Sequence, residues 1–154
     1  MDEQNDTATP VHADAVPEGF ERLCRGGPFM ADVGPLYCRR TGAGTVIALR
    51  VATRHTNMRG IAHGGMLAAL ADSALGISLS LACADEVSFV TVNLSTDFIA
   101  AARPGDWVEA HVEIVRIGKR MAFAHCYLQV GDVRILRASG VFAVMAPLTQ
   151  EQLA

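Results

Sequence analysis

The chain has 154 residues, of which 51% are apolar and 19% are charged, a composition typical of a single globular domain. These proportions exclude collagen-like, disordered and disulfide-scaffold proteins. The 13 basic and 16 acidic residues give a net charge of −3, and without a basic stripe or a recognisable binding motif nucleic acid is not an expected partner.

The N-terminal region differs in character from the rest of the chain. Residues 1–18 contain five acidic side chains and no Lys or Arg. The first sixteen positions also lack apolar periodicity, which indicates a flexible acidic tail over 1–16. The rest of the chain has neither an internal repeat nor a linker, so 17–154 is predicted to be one domain.

Short elements are expected at the start of this domain. Residues 17–24 are compatible with one short helix, which the breakers in the run Gly26-Gly27-Pro28 would end. Two strands are then predicted at 34–40 and 45–52, because apolar and polar residues alternate there and glycines lie between the two segments.

The second half of the chain predicts a series of strands. Turn residues recur about every ten positions and separate segments in which apolar residues have a period of two. In the first of these segments the residues assigned to one face are Val90, Val92, Leu94 and Phe98. The pattern favours an antiparallel meander with strands at 88–100, 107–117, 121–130 and 134–145.

One long segment between these two halves has a different character. Residues 63–83 are dominated by Ala and Leu, which predicts a helix, and Asp72 is the only charged residue between Gly64 and Ala84. A helix that is apolar nearly all round either spans a membrane or is surrounded by protein. Because a mid-helix Asp costs about 2.5–3.5 kcal/mol in a bilayer, and many strands are available to cover the helix, we predict a helix wrapped by a curved sheet and no membrane partner.

The start of this helix carries the sequence His63-Gly64-Gly65. The first four N–H groups of a helix have no partner within it, and the positive end of the helix dipole lies there. Two glycines leave the backbone uncovered, so an anionic oxygen of a ligand can approach these amides. The alternative is that the glycines serve only an unusual backbone conformation or tight packing. A His in front of a helix can likewise be a simple cap.

Asp72 is the second feature of this helix with chemical significance. Burying a carboxylate is costly unless it is paired or hydrogen-bonded. One interpretation is a core Asp satisfied by hydroxyl groups or an Arg, and the other is a catalytic acid in a cleft. Both interpretations remain open on this residue alone.

The spacing of Gly64 and Asp72 has a consequence for assembly. Eight residues correspond to about 12 Å along a helix, whereas reacting groups must approach to about 3–3.5 Å. One helix therefore cannot easily present both groups to the same carbonyl. Two antiparallel copies side by side would bring Gly64 of one chain near Asp72 of the other, so joint action of the two residues predicts an obligate homodimer with shared sites.

The cysteines and the N-terminus bear on cofactors and localisation. The four cysteines are scattered, without a CxxC pair or a Cys/His spacing typical of metal sites. No metal or other cofactor is therefore expected. The N-terminus lacks the basic start and apolar run of a signal peptide, and with free thiols this predicts a cytoplasmic protein.

Taken together, these motifs resemble a known family. The run from Asn57 through His63-Gly64-Gly65, followed by Asp72, resembles the hotdog-fold acyl-CoA thioesterases, with the phenylacetate-pathway (PaaI-type) branch as the nearest group. Weaker matches follow in the strands, and the likeness covers roughly 34–145. The matching strand segments are Val90-Thr91-Val92-Asn93-Leu94, Asp97-Phe98, Arg103-Pro104-Gly105-Asp106 and Gly118-Lys119-Arg120.

The resemblance implies an α+β fold, a long central helix wrapped by an antiparallel sheet, and metal-free hydrolysis of acyl-CoA. It also implies a homodimer formed edge to edge, which commonly pairs again into a homotetramer. By position, Gly64 would polarise the thioester carbonyl, with His63 and Asn57 supporting the pocket. Asp72 of the partner chain would be nucleophile or general base, and Thr91 would position the water.

The remaining site residues are assigned to substrate binding. Gly65 belongs to the uncovered helix start, and Arg59 either meets a phosphate of coenzyme A or pairs with a surface acid. Lys119 and Arg120, at a predicted strand turn, are candidate contacts for the diphosphate. Two other functions stay open at this point: a hotdog acyl-CoA hydratase or dehydratase, and a non-catalytic acyl-CoA-binding module.

Overall fold

The computed structural model describes residues 15–85 and 87–153. Within these ranges the elements form one antiparallel sheet and three α-helices, with a 3₁₀ turn over Thr53–His55. In chain order they are β1 (Glu21–Leu23), α1 (Gly27–Val33), β2 (Leu36–Thr41), β3 (Gly44–Arg50), α2 (Gly64–Ala82), β4 (Ser88–Phe98), β5 (Trp107–Ile117), β6 (Met121–Val130), β7 (Val133–Met145) and α3 (Gln150–Leu153). The strand order in the sheet is β1-β2-β3-β5-β6-β7-β4.

The long helix α2 lies in the concave side of this sheet. It contacts every strand from β3 to β7, and its buried side contributes residues such as Leu70, Leu75 and Leu79 to the hydrophobic core. By length and composition α2 could also cross a membrane, with a mean hydropathy of 1.5. The helix instead packs against the strands, which confirms the predicted hotdog fold.

Strand β4 forms one edge of the sheet and corrects two expectations. The meander is confirmed for β5, β6 and β7, but β4 pairs with β7 at the far edge instead of preceding β5. A bulge between Thr91 and Asn93 also shifts the alternation of its side chains. Leu94 therefore packs on the core, while Val90 and Val92, assigned to the same face, are 53% and 59% exposed.

The start of the domain also differs from the expectation. The predicted helix over 17–24 is wrong: Glu21–Leu23 is a strand that pairs with β2, and Phe20 packs on the ring of Trp107 with 5.2 Å between centroids. Such long-range pairing leaves no local sequence signal. The run Gly26-Gly27-Pro28 begins a helix and does not end one. Gly26, with φ 104°, is the N-cap of α1, and Pro28 suits its first turn.

The remaining boundaries agree with the sequence to within about two residues. The strand pairs predicted around the early glycines and in the second half, and the helix predicted over 63–83, are all present. Residues 1–14 of the predicted tail lie outside the described residues.

Candidate active site

The N-terminus of α2 leaves one backbone donor open. His63 is the N-cap, and its Nδ1 accepts a hydrogen bond from the N–H of Gly65 at 2.9 Å. The N–H groups of Met66 and Leu67 donate to the carbonyl of His63 at 3.0 and 3.1 Å. Among residues 15–85 and 87–153, the N–H of Gly64 has no acceptor. Gly64 is therefore the first-turn amide that a ligand oxygen can use.

At the two glycines of the motif, different neighbours restrict the space for a side chain. A Cβ at Gly65 would lie 3.1 Å from Nδ1 of His63, so the missing side chain lets the ring fold back as a cap. A Cβ at Gly64 would lie 3.1 Å from the ring of Phe98 at the end of β4. The N–H of Gly65 donates to the ring of His63, whereas the N–H of Gly64 stays available for a ligand.

Phe98, named from the sequence only as part of a strand and of the matching segment Asp97-Phe98, was not predicted to belong to the site. Its ring lies against Gly64, yet 56% of the side chain is exposed, so one side of the ring is free to form a wall beside the open amide. The signal available beforehand was only an apolar residue in a strand, because the contact joins positions far apart in the chain.

Asn57 shapes the loop that leads into the helix. Its Oδ1 accepts a hydrogen bond from the N–H of Arg59 at 2.8 Å, and its carbonyl accepts one from the N–H of Gly60 at 3.0 Å. Gly60 has φ 71°, which favours glycine at this turn. Asn57 thus supports the loop through an Asx turn. The guanidinium of Arg59 has no hydrogen-bond or ion-pair partner in the described part of the chain and lies in solvent.

Asp72 lies half-buried on the side of α2 that faces β4. The hydroxyl of Thr91 donates to its Oδ1 at 2.7 Å. Within the described ranges no Arg or Lys forms an ion pair with this carboxylate. Its charge is therefore supported by one hydroxyl, and the group remains accessible to a substrate from the β4 edge.

Lys119 and Arg120 lie at the opposite end of the sheet from Gly64. They are exposed in the turn between β5 and β6, and the carbonyl of Arg120 accepts a hydrogen bond from Val144 at 2.9 Å. The register aligns Met121 with Ala143 of β7, and Ala143 with Val90 of β4. The basic turn is thus near the Asp72–Thr91 end, while Arg59 is near the Gly64 end. A single chain does not bring these two groups together.

His55 joins the elements around the start of α2. The ring is 5% exposed. Its Nδ1 accepts from the N–H of Ala52 at 2.9 Å, and Nε2 lies 2.7 Å from the carbonyl of Val33, to which the neutral ring donates. The His55 carbonyl in turn accepts from the N–H of His63 at 2.8 Å. A cleft of about 490 Å³ opens beside it, with Phe29, Val33 and Met66 among its walls.

We expect the stability of the protein to decrease below about pH 6.5 because of His55. Burial lowers the pKa of His55 from 6.5, an effect that the hydrogen bond to Val33 opposes and the Arg54 charge reinforces. The unfolded chain then binds more protons than the folded one below that pH, so the unfolding free energy falls by up to about 1.4 kcal/mol per pH unit. Urea unfolding between pH 7.5 and 5 measures this slope.

The control is His55→Gln, which removes the buried ring. This variant should flatten the pH dependence of the unfolding free energy. An equal slope in wild type and His55→Gln would contradict the assignment.

Comparisons with known proteins agree with this architecture. Residues 59–136 match the model of the thioesterase superfamily. A Pseudomonas aeruginosa protein, provisionally named as an esterase, is 43% identical over 128 residues, which is 82% of this chain and 96% of that protein. Mouse acyl-coenzyme A thioesterase 13 is 30% identical over 80 residues, covering 51% of this chain and 56% of the mouse protein.

A protein of known structure has a similar fold. A variant of the phenylacetic acid degradation protein PaaI from Thermus thermophilus superposes with a TM-score of 0.66 at 26% sequence identity. The superposition covers 75% of this chain and 97% of the other.

Proposed function

The chain belongs to the thioesterase superfamily, and from this premise we propose that it hydrolyses acyl-CoA thioesters to the free acid and CoA. The observation that carries the proposal is the pair of groups on α2. The N–H of Gly64 has no acceptor in the described ranges, and the half-buried carboxylate of Asp72 is held by Thr91 without a cation.

These two groups meet the chemical demands of thioester hydrolysis. The leaving group is a thiolate, and the thiol reference pKa of about 8.5 means that it departs without a dedicated acid. The remaining demands are to stabilise the oxyanion and to deliver water or a carboxylate to the carbonyl carbon. An oxyanion donor contributes about 10²–10³ in rate, and a positioned base about 10²–10⁴.

In the proposed mechanism Gly64 donates its N–H to the thioester carbonyl oxygen at the positive end of the α2 dipole. His63 keeps the backbone of the helix start in place through its cap on Gly65. In one route Asp72 removes a proton from the attacking water, and the C–S bond breaks with loss of the CoA thiolate. In the other route the Asp72 carboxylate attacks the carbonyl carbon and expels the thiolate, and water then hydrolyses the resulting mixed anhydride to the free acid and the carboxylate. Thr91 fixes the orientation of the carboxylate by its hydrogen bond. Both routes of attack use the same residues.

The edge strand β4 supports a homodimer that shares its sites. One side of this strand has no partner within the described chain, and Val90 and Val92 are exposed along it. Such an edge readily pairs with a second copy. The helix face next to it carries small residues, among them Ala69, Ser73 and Gly76, which would allow a second α2 to approach closely.

We infer the position of the dimer axis from the register of the site residues. Gly64 lies at the level of Phe98, and Asp72 lies at the level of Thr91. Antiparallel pairing of β4 with its copy about an axis near Leu94 would set Phe98 of one chain opposite Thr91 of the other. Each site then contains Gly64 and Arg59 from one chain.

The other chain supplies Asp72, Thr91 and the basic turn. Lys119 and Arg120 of that chain would approach the diphosphate of CoA, together with Arg59 from across the axis. Pairing of dimers into a homotetramer and a cytoplasmic location remain predictions.

Release of free CoA from a panel of acyl-CoA esters tests the proposed reaction. Purified protein should liberate thiol, detected with a thiol-reactive dye, from at least one aryl- or alkyl-CoA in the panel. A hydratase or dehydratase would change the acyl chain without releasing thiol, and a binding module would bind acyl-CoA without any product. Either of those results would overturn the proposal.

We expect Thr91→Val to lower kcat by about tenfold, because the carboxylate of Asp72 loses the hydroxyl that orients it. Thr91→Ser keeps the hydroxyl and should retain most of the rate. Steady-state CoA release compares the three proteins. Full activity in Thr91→Val together with a loss in Thr91→Ser would show that Thr91 acts through packing and not through its hydroxyl.

A further inference from the structure

A second cavity lies at the opposite end of α2 from Gly64, where the sheet is open. Strand β5 extends to Ile117, but its pairing with β3 ends where His111 meets Val46. Beyond that pair, β3 turns into its hairpin and leaves the edge of β5 free. The gap exposes the C-terminal part of α2 and forms a cavity of about 650 Å³, within the usual range for small-molecule sites.

The inner wall of this cavity is apolar except for one hydroxyl. Leu81, Val112 and Ile114 line it together with Ser78. Ser78 is 6% exposed, and its Oγ is fully buried without a hydrogen-bond partner in the described chain. A buried hydroxyl without a partner costs about 1–3 kcal/mol. A polar group of a ligand recovers this cost once the Ser78 side chain turns its Oγ toward the cavity.

The rim of the cavity carries one available cation. The guanidinium of Arg134 stacks on the ring of Tyr127 at 3.8 Å, which holds it in place. In the described ranges it forms no ion pair. Two other polar side chains at the rim contact carboxylates: His125 lies 3.1 Å from Glu113, and His111 lies 3.0 Å from Glu109, which is outside the lining.

We propose that this cavity is a second binding site, separate from the Gly64–Asp72 site, for an amphipathic carboxylate that carries a hydroxyl at its far end. Arg134 receives the carboxylate at the rim. Arg134 and Tyr127 lie on the outer face of the sheet, because Tyr127 alternates with the buried Cys126 and Leu128. The body of the ligand therefore passes around the free edge of β5 onto the apolar wall, and Ser78 bonds the distal hydroxyl. Ser78 is six residues beyond Asp72, about 9 Å along the helix, and is buried on a different face. Binding here does not depend on the proposed hydrolysis.

Calorimetric titration with a matched ligand series tests the site without turnover. The series is 6-hydroxyhexanoate, 8-hydroxyoctanoate and 10-hydroxydecanoate, each compared with the acid that lacks the hydroxyl and the diol that lacks the carboxylate. At the best length, the hydroxy acid should bind about fivefold more tightly than the plain acid and about tenfold more tightly than the diol.

Three variants assign these preferences to the cavity. Ser78→Ala should remove the preference for the hydroxyl without lowering the melting temperature, because it deletes a buried unpartnered group. Arg134→Gln should remove the preference for the carboxylate. Ala82→Phe adds a ring at an exposed position of the lining and should abolish binding. Ser80→Ala, on the same helix but outside the lining, is the control.

Three results would overturn the proposal. The first is no binding of any hydroxy acid, with only an ordered water on Ser78. The second is an unchanged hydroxyl preference in Ser78→Ala. The third is full binding in Ala82→Phe, which would show that the ligand does not occupy this cavity.

Discussion

Replacing Asp72 by Asn should reduce CoA release by at least about 10²-fold while leaving the fold and the proposed dimer intact. An amide neither attacks a thioester nor takes a proton from water. Its oxygen can still accept the hydrogen bond that Thr91 donates to the carboxylate at 2.7 Å, so the local geometry is preserved. Because Asp72 is half-buried and forms no ion pair in the described ranges, the loss of charge leaves no cation unpaired.

The measurement is kcat from CoA release, with circular dichroism and gel filtration on the same samples. Asp132→Asn is the matched control, since it makes the same chemical change at an exposed turn between β6 and β7. Near-normal turnover in Asp72→Asn would remove this residue from the mechanism. The role of Asp72 would then be structural, namely to accept the hydrogen bond that Thr91 donates.

Most of the fold was accessible from local sequence patterns. The apolar composition of α2 and the period-two alternation of β5, β6 and β7 reflect burial along continuous segments, so they are visible in one sequence. The failures involve contacts between distant segments. The strand Glu21–Leu23 exists because the edge of β2 accepts it, and the bulge after Thr91 moves Val90 and Val92 to the exposed face.

The candidate site was predictable to a similar extent. The sequence identified Gly64, His63 and Asp72, because a glycine-rich helix start and a lone acid are both unusual on an apolar helix. It did not reveal that His63 uses the N–H of Gly65 and leaves Gly64 as the open donor. Nor did it reveal the ring of Phe98 against Gly64, which depends on how β4 lies across the helix.

Two substitutions distinguish the effect of the Gly64 N–H on the rate from the effect of added side-chain volume at this position. Gly64→Pro removes the N–H, and proline is well tolerated at the first position of a helix. Gly64→Ala keeps the N–H and adds only a Cβ, which Phe98 can accommodate by a small shift because its ring is 56% exposed. We expect Gly64→Pro to lose about 10²–10³ in kcat and Gly64→Ala to lose far less.

Mixing these inactive chains tests whether a site is shared between subunits. A dimer of one Asp72→Asn chain and one Gly64→Pro chain contains one site with an intact Gly64 and an intact Asp72, and one site with neither. If both residues came from the same chain, every site would carry one defect. Random reassortment places about half of the chains in such mixed dimers, so about a quarter of wild-type activity should return.

Co-refolding the two variants in equal amounts, followed by CoA-release assays, measures this recovery. Each variant refolded alone provides the baseline, and differently tagged chains prove that mixed dimers have formed. Mixed dimers with no gain over the baseline would place both residues in one chain. Because about 12 Å of helix separates Gly64 from Asp72, that result would mean that they do not act on the same carbonyl.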